Sequence, residues 1–533
     1  PQWFRSLETS TTTLGSHCKV HVGLPLSSGA WDLVIGGYAD LAIAPQQELA
    51  RFVARGAHTA FTVAFRGAEV QLGPVTIGGE PPCWDCARHR LLAHAANPWA
   101  THLVHRHAQA TNGLVGQHSM PVPAISLVGN AAAMMAIQLL CTTNVVDWHG
   151  LVSFMSLQTL ASSNHLVVPL PWCEICGGAN LAINTRPVDW EGLAGADHHS
   201  LLRVYAPGWM DERTGITSAV FSRLRHVNSG FLPHAASGHL AAFSDCFSTA
   251  HYLRPLIRPK DTFSGKGATC GEALVSTLAE ALERYSASRV RIDDLFDATV
   301  DSVQGDKLDP RCLSLYEEEQ YALPNFPFKR FNPDGLCLWK SGLWADTGMP
   351  VSVPARLAFF APLDTPFVQV TSNGLAAGRT NEEASLRAIC EIVERDAFMI
   401  TWLCRRPARR LELAKGFDGI DEAVHEVIRA LESFGTTVML HLLDVGLDFP
   451  VVQCTVIGDG TNWPGFTVAH GSHPCLRRAI RSAVMEQVLY GPYLRQKARS
   501  GGMEIPAVPS DVKSFLDHAL FYSSIQRQGA ITF

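Results

Sequence analysis

Four cysteines stand in two close pairs whose spacing suits a metal ion. Cys83 and Cys86 form one C-x-x-C motif, and Cys173 and Cys176 form another. Two such motifs supply the four thiolates of a tetrahedral zinc site, in which no position is left for water. Two unrelated pairs, or a redox-active C-x-x-C, are the alternatives. Because two pairs in one domain are rare by chance, we predict a structural zinc ion bound by all four cysteines.

The other ten cysteines follow no ligand spacing. An isolated cysteine in a large protein is most often a small apolar residue of the core. We therefore predict buried and chemically inert side chains for them, including Cys18, Cys141, Cys246, Cys270, Cys390 and Cys475.

A helical pattern over 270–290 gathers residues that could do chemistry on one face. Ser276, Glu280, Glu283 and Arg284 lie at positions i, i+4, i+7 and i+8 of this segment, so they share one side of the helix. Leucines run along another side and predict its contact with a core.

A second helical pattern, over 381–403, carries a similar set. Glu391 and Glu394 are three residues apart and share a face, and Arg395 follows them. Asn373 begins a stretch of small residues ahead of this helix. The two segments therefore share one order: glycine-containing residues, then a helix with the motif E-x-x-E-R.

Carboxylates that crowd one face need positive charge among them. Arg284 and Arg395 could neutralise them on a solvated face. Divalent cations are the other answer, because Mg²⁺ takes oxygen ligands and bridges carboxylates to nucleotide phosphates. The repetition of the arrangement favours Mg²⁺. The Ser-Gly-Lys-Gly sequence at 264–267 is expected to be a flexible loop that brings the cation of Lys266 to this site.

The common phosphate-binding loops are missing from the sequence. Gly265-Lys266 lacks the Walker A glycine five residues earlier and is followed by Gly267 rather than Ser or Thr. A G-x-G-x-x-G motif is also missing. A nucleotide would therefore have to bind through the carboxylate helices.

The elements that position these residues fall into two parts. The first part alternates strands and helices and predicts an α/β unit with a parallel sheet. A polar stretch at 180–212 predicts a linker, and the second part is α+β, beginning with a strand-like run at 218–227. In the first part we predict strands at 31–37, 58–65 and 68–77 and helices at 45–57 and 130–140.

Composition limits the class of protein. The chain has 533 residues, 47% hydrophobic and 17% charged, with a net charge of −6. These values exclude a disordered or disulfide-dense protein and predict no nucleic-acid surface. No signal peptide opens the sequence, which favours the cytoplasm. The uncharged segment at 125–146 contains polar residues, so we expect a buried helix and no membrane span.

The motifs resemble two known families. SGKG, S-x-x-x-E-x-x-E-R, SNG-x-AAG and E-x-x-E-R-D in the second part resemble the YcaO superfamily. GPVTIGGEPPCWDCARHRL and PWCEICGG in the first part resemble the zinc-bearing ThiF-like domain, which is similar to ubiquitin-activating enzymes. The fused order is similar to azoline-forming cyclodehydratases of ribosomal peptide pathways. The resemblance implies an α/β ThiF-like docking domain at 1–195 and an α+β YcaO domain at 196–533.

The resemblance also implies a site for ATP and Mg²⁺. It assigns metal- or phosphate-facing carboxylates to the two helices and cofactor-binding roles to their neighbours. The carboxylates are Glu280, Glu283, Glu391 and Glu394, and the neighbours are Lys266, Ser276, Arg284, Asn373 and Arg395.

A third motif of the family, A-x-x-R-A-x-x-E-x-x-Q, matches in part. The segment AIRSAVMEQVL supplies Glu486 at the glutamate position. Ser482 stands where the family has arginine and Leu489 where it has glutamine. Glu486 is therefore a further cofactor-binding candidate.

The implied reaction is ATP-dependent cyclodehydration of Cys residues, and also of Ser or Thr, in a ribosomally made precursor peptide. The alternatives are a scaffold that docks peptide without catalysis and a YcaO enzyme that forms thioamides. Implied partners are the precursor peptide, an azoline dehydrogenase and a second copy of the chain. The sequence leaves no room for a winged-helix module ahead of the ThiF-like part, so we expect a separate leader-peptide-binding protein. No nucleic acid or membrane is expected as a partner.

Overall fold

The computed structural model describes both parts of the chain, with gaps. The described residues are 33–39, 43–56, 58–95, 98–110, 122–141, 145–170, 173–176, 211, 213–215, 217–218, 234–240, 262–288, 290, 294–360, 366–413, 419–444, 446–499 and 505–531.

The first part is built on a five-stranded sheet in sequence order. Its first two strands are parallel and are connected by helix α1, Ile43–Gly56, as the strand–helix–strand pattern predicts. The other three neighbours pair antiparallel, so the sheet is mixed rather than parallel. Gly67, with φ of 61°, begins the tight turn that reverses the chain after the second strand. The strands are β1 Val34–Ala39, β2 Ala60–Arg66, β3 Glu69–Leu72, β4 Leu151–Ser156 and β5 Ser162–Leu166.

Three further helices belong to this part: α2 Trp84–Ala93, α3 Pro98–Ala110 and α4 Val122–Cys141. The length and composition of helix α4 would allow it to cross a membrane. Helices in the core of a protein can have the same length and composition. One of its faces packs on the sheet, where Val128 and Met135 join Phe61 in one core. The opposite face is exposed at Met134. The predicted buried helix is therefore buried on one side.

The described residues of the second part form three antiparallel sheets. The first has β6 Thr217–Ser218, β7 His234–Leu240 and β8 Thr262–Gly267. The second has β9 Leu295–Ala298, β10 Cys337–Leu343 and β11 Pro350–Pro354. The third has β12 Arg409–Leu411, β13 Thr437–Leu443, β14 Val451–Ile457 and β15 Phe466–Ser472.

The helices of the second part surround these sheets. They are α5 Cys270–Ala287, α6 Glu318–Tyr321, α7 Ala355–Ala358, α8 Asn381–Cys404, α9 Glu422–Glu432, α10 Leu476–Arg499 and α11 Phe515–Tyr522. Helices α9 and α10 share a core with the β13–β14 strands, centred on Val427, Leu440, Val456 and Ile480.

The two predicted carboxylate helices are confirmed as α5 and α8, and they begin in the same way. The side chain of Thr269 accepts a hydrogen bond from the N–H of Glu272, and Thr380 does the same for Glu383. Each of these glutamates reaches back to the N–H of the residue before its threonine. Such T-x-x-E caps satisfy donors that a helix start leaves open.

Several predictions made on the sequence fall partly outside the described residues. Of the linker at 180–212 only Asp211 is described, and of the strand at 218–227 only Ser218. The prediction of buried lone cysteines is confirmed for Cys337 and Cys454 and is wrong for four exposed residues, Cys141, Cys312, Cys404 and Cys475. Cys390 is half-buried. Cys18, Cys246 and the side chain of Cys270 lie outside the described residues.

The Ser-Gly-Lys-Gly sequence is not a flexible loop, because it forms most of strand β8. The strand alternates: Gly265 and Gly267 are buried, and Ser264 and Lys266 lie on the other side. A Cβ atom on Gly265 would lie 2.2 Å from the backbone nitrogen of Thr277 on α5. The glycines are required because strand and helix backbones approach each other closely, and this contact turns Lys266 away from the helix.

We predict that Gly265→Ala lowers the free energy of unfolding by about 1–3 kcal/mol, because the added methyl group must push α5 away from β8. Urea unfolding followed by circular dichroism measures the loss. Gly342→Ala in β10 is the matched control, because the nearest atom to its added Cβ would be 3.8 Å away. Equal stability of the two variants would contradict the close-packing explanation.

Candidate functional site

The structure brings the four paired cysteines together. The Sγ atoms of Cys83 and Cys173 are 3.5 Å apart, those of Cys86 and Cys176 are 3.5 Å apart, and those of Cys83 and Cys86 are 4.0 Å apart. Sulfur atoms at the corners of a tetrahedral zinc site are about 3.8 Å apart, given Zn–S bonds of about 2.3 Å. The donor set and its dimensions therefore fit zinc.

Local structure explains how these cysteines are presented. Cys83 is the N-cap residue of α2, and Cys86 lies in its first turn. Cys173 and Cys176 lie at a turn that follows β5, and the N–H of Leu170 donates to Cys86 Sγ at 3.4 Å. Burial raises the pKa of the thiols of Cys83 and Cys86. A cation between them would favour the thiolates that burial disfavours.

The first glutamate of each E-x-x-E-R motif fastens a neighbouring segment. Glu280 Oε2 accepts a hydrogen bond from the N–H of Ser264 at 2.9 Å. Glu391 Oε2 accepts one from the N–H of Gly374 at 3.1 Å. Each also has an arginine one turn further along its helix, with N–O distances of 3.5 Å and 3.6 Å. The E-x-x-E-R motif that the sequence repeats therefore makes the same two kinds of contact in both helices.

The second glutamate of each motif is in a less favourable place for a charge. The pKa of Glu283 is raised to about 7, chiefly by burial and also by the charges of Glu391 and Glu280, against the opposing effect of Arg284. Burial also raises the pKa of Glu394. Carboxyls whose pKa is raised by burial favour a cation among them, because a positive charge stabilises their ionised form.

Lys266 of β8 connects the site on α5 and α8 to a third helix, α10. Its ammonium group forms an ion pair with Glu486 of α10. Burial lowers the pKa of Lys266, while the charges of Glu280 and Glu394 oppose that effect. The site therefore combines five glutamates with Lys266, Arg284 and Arg395. Fully ionised, this set carries two more negative than positive charges, which one divalent cation would balance.

The glutamates do not form a closed metal cage. Among the described residues, the donor atoms of the four cysteines all lie within 4.8 Å of one another. No three of the described glutamates bring their carboxylate oxygens this close together. An open arrangement suits Mg²⁺, which usually takes one or two carboxylates and completes its octahedron with phosphate oxygens and water.

The remaining predicted residues lie beside this network. Ser276 is half-buried one turn before Glu280 on α5, and its hydroxyl makes none of the hydrogen bonds found among the described residues. Asn373 is exposed, and its N–H donates to the side chain of Thr371 at 3.4 Å. Ser276 and Asn373 are near the glutamates along the chain, but neither takes part in the described ion pairs and hydrogen bonds of the glutamates on α5, α8 and α10.

Two residues that the sequence analysis missed take part in the site. Arg481, adjacent to the serine that replaces the family arginine, bonds to Glu272 at 2.8 Å and to Asp421 at 2.7 Å. It therefore joins α10 to the capped start of α5. His470 on β15 lies with its ring centroid 4.6 Å from that of Phe398 on α8. Burial, with the nearby charge of Arg395, lowers the pKa of His470 to about 3, so this imidazole is neutral. An arginine one residue out of register is the signal that could have identified Arg481.

A comparison with protein families matches this half of the chain. Residues 264–530 match the family model described as YcaO cyclodehydratase, ATP- and Mg²⁺-binding. The matched segment contains all five glutamates of the site.

Curated relatives are similar over part of their length. An uncharacterized protein of Methanothermobacter thermautotrophicus is 30% identical over 205 residues, which are 37% of this chain and 48% of that protein. The ribosomal protein S12 methylthiotransferase accessory factor YcaO of Escherichia coli K12 is 25% identical over 246 residues, 42% of this chain and 40% of that protein. The chain spans about half the length of the curated relatives it matches.

Two solved structures are similar over the whole chain. A heterocyclase in complex with substrate and cofactor has a TM-score of 0.70 at 19% identity, covering 99% of this chain and 70% of that one. The heterocyclase TruD has a TM-score of 0.58 at 18% identity, covering 100% of this chain and 72% of that one. At these identities the similarity shows the fold.

We predict that purified protein contains about one zinc ion per chain and that Cys86→Ser loses it, because the buried thiolate is replaced by a hydroxyl that binds zinc poorly. Elemental analysis by mass spectrometry measures the content. Cys141→Ser, at an exposed cysteine on α4, is the control and should keep its zinc. Full zinc content in Cys86→Ser would show that this cysteine is not a ligand.

We predict that Glu283→Gln stabilises the nucleotide-free protein at alkaline pH. Between pH 4.5 and about 7 the unfolded chain loses a proton that the native carboxyl keeps, so wild-type stability falls as pH rises through that window. The shift of the Glu283 pKa from 4.5 to about 7 corresponds to a loss of about 3 kcal/mol in the free energy of unfolding. Urea unfolding at about pH 8 should favour the variant, and the difference should shrink at about pH 5.5.

The control for this comparison is Glu426→Gln, at an exposed glutamate of α9. It should leave the stability unchanged at both pH values. A Glu283→Gln protein that is less stable than the wild type at alkaline pH would contradict an unfavourable ionisation of the half-buried Glu283 carboxyl.

Proposed function

The match over half of the chain places this protein in the YcaO cyclodehydratase family, and we propose that it is an ATP-dependent peptide cyclodehydratase. Its substrates would be Cys residues, and also Ser or Thr residues, of a ribosomally made precursor peptide, and its products azoline rings. The observation that carries the proposal is the proximity of five glutamates from α5, α8 and α10 to one another and to Lys266. The charges of Glu280 and Glu391 act on Glu283, those of Glu280 and Glu394 act on Lys266, and Lys266 pairs with Glu486.

The proposed reaction begins at the substrate's own side chain. A thiol or hydroxyl attacks the preceding backbone carbonyl, and the resulting oxyanion receives the γ-phosphoryl group of ATP. Loss of phosphate then leaves the ring, with ADP and phosphate as the other products. Bound ATP with Mg²⁺ supplies the phosphoryl group that makes the carbonyl oxygen a leaving group. Catalysis of this kind depends mainly on position and on neutralised charge.

The residues of this chain would divide these tasks. Glu283 and Glu394 are the carboxyls that burial makes hardest to ionise, so they are the proposed ligands of Mg²⁺. Glu280 and Glu391 hold β8 and the Gly374 turn in place through backbone N–H groups and could also face the cation. Lys266 would contact phosphate, with Glu486 fixing its position.

The nearby residues have supporting roles in the proposal. Arg284 and Arg395 balance the first glutamate of each motif. Ser276 and Asn373 are near these glutamates along the chain and would contact the nucleotide. No proton-accepting group is assigned, because the pKa of the nearby His470 is too low for an effective base at neutral pH.

We also propose that residues 1–195 form a ThiF-like docking domain with structural zinc and that residues 196–533 form the YcaO domain. The tetrahedral spacing of Cys83, Cys86, Cys173 and Cys176 supports the zinc. Their complete coordination of the ion leaves no open position, which favours a structural role. An azoline dehydrogenase, a second copy of the chain and a cytoplasmic location stay predictions.

We predict that Glu283→Gln and Glu391→Gln each slow ring formation by about 100-fold or more, because electrostatic stabilisation of the transition state is lost. Each ring removes one water and lowers the mass of the precursor by about 18 Da, whereas thioamide formation raises it by about 16 Da. Mass spectrometry of the precursor therefore measures the activity and also identifies the reaction.

Glu426→Gln serves again as the control and should keep wild-type activity. The two site variants should keep their zinc and their circular dichroism spectra. Full conversion by both variants would refute the assignment of the glutamates. ATP turnover without any mass change, or no turnover at all, would favour a docking scaffold over the proposed enzyme.

A further inference from the structure

The zinc cysteines and the back of the carboxylate helix α5 lie in one hydrophobic core. Cys83, Cys86 and Cys173 pack in this core together with Phe263 of β8 and Tyr285 of α5. All five residues are at least nine-tenths buried. The metal site therefore shares a core with the helix that carries Glu280 and Glu283, although more than a hundred residues separate the nearest of these cysteines from that helix's glutamates along the chain.

One buried side chain connects the two. Arg90 on α2 is 3% exposed. Its Nε donates to the carbonyl of Val168 at 3.1 Å, and its Nη2 donates to the carbonyl of Pro169 at 3.1 Å. The same Nη2 donates to the hydroxyl of Tyr285 at 3.2 Å, and the guanidinium carbon lies 5.8 Å from the centre of the tyrosine ring. Arg90 thus forms hydrogen bonds both to α5 and to the segment that precedes Cys173.

The charge of Arg90 needs a counterpart. Within the described residues no carboxylate lies within 4.0 Å of it, and a buried cation is unfavourable unless it is compensated. Zinc with four thiolates carries a net charge of −2. Arg90 is four residues after Cys86 on the same helix, hence one turn away on the same face. The zinc–thiolate group would therefore supply the negative charge that holds Arg90 in the core.

We propose that the zinc site positions α5 through Arg90 and Tyr285, so that the metal sets the geometry of the carboxylate site. Tyr285 and Ala281 lie on the side of α5 that faces the zinc core, and Glu283 lies on another side of the same turn. A helix transmits a shift of one side to the other because its backbone is rigid. Arg90 and Tyr285 are positioning residues. The consequence for nucleotide binding rests on the proposed function.

Hydrogen exchange measured by mass spectrometry tests the connection without any nucleotide. Compared with the full-length wild type, Arg90→Lys and Tyr285→Phe should exchange the amides of α5 about fivefold faster, since each loses about one buried hydrogen bond. Zinc-depleted protein should show the same local increase, and zinc re-addition should reverse it. Exchange of the amides of α9, which packs in a separate core with α10, should stay unchanged.

Ser286→Ala is the matched control, because Ser286 is adjacent to Tyr285 on α5 but exposed. It should exchange like the wild type. Unchanged exchange of α5 in both variants and in the zinc-depleted protein overturns the proposal. Tyr285→Phe keeps the ring and removes only the hydroxyl, so this variant tests the bond even if Arg90→Lys or zinc depletion unfolds the chain.

Calorimetric titration with Mg²⁺ and a non-hydrolysable ATP analogue gives a second measurement. Tyr285→Phe should weaken binding about threefold to fivefold at unchanged zinc content. A merely structural tyrosine would lower the melting temperature and leave this affinity unchanged, which would count against the proposal. If the wild type binds no nucleotide at all, the proposed function fails, and the exchange of α5 with and without zinc still decides the inference.

Discussion

The crowding of negative charge between three helices is the constraint on which the rest of this structure depends. Carboxyls on α5 and α8 approach closely enough that burial and the charge of Glu391 raise the pKa of Glu283 and Glu394. Glu486 of α10 joins them through its ion pair with Lys266. Isolated, such a cluster would push the helices apart. Lys266 and the two motif arginines offset part of the charge. The rest is left for a cation, so the site is stable only to the extent that its surroundings hold it.

Close contact between strands and helices provides that support. Gly265 and Gly267 let β8 approach α5, and Gly471 lets β15 approach α10, where an added Cβ would lie 2.4 Å from backbone atoms. Gly378 lies just before α8, where an added Cβ would be 2.4 Å from the backbone nitrogen of Ala384 in the first turn of that helix. Helices that touch a strand backbone cannot slide without a clash, because the interior is close-packed. The glycines near the site therefore contribute rigidity, although glycine is often associated with flexibility.

The two parts of the chain are joined more closely than a linker between independent domains would suggest. The core around the zinc cysteines includes residues of β8 and α5. Arg90 and Tyr285 are 195 residues apart in sequence and yet hydrogen-bonded. The zinc cysteines thus lie behind the carboxylate helix, and the same packing that buries the thiols also supports the glutamates.

The sequence by itself determined the features that depend on local spacing. The E-x-x-E-R helices follow from a 3.6-residue period and T-x-x-E caps, and the C-x-x-C pairs predict four candidate metal ligands because each knuckle is a local turn. Only the tertiary structure decided the rest. Whether Ser-Gly-Lys-Gly is a loop or a strand depends on the partner strand β7 and on helix α5. The ion pair of Lys266 with Glu486 joins residues 220 positions apart. No local pattern encodes such contacts, because they arise only when distant segments bury their apolar faces together.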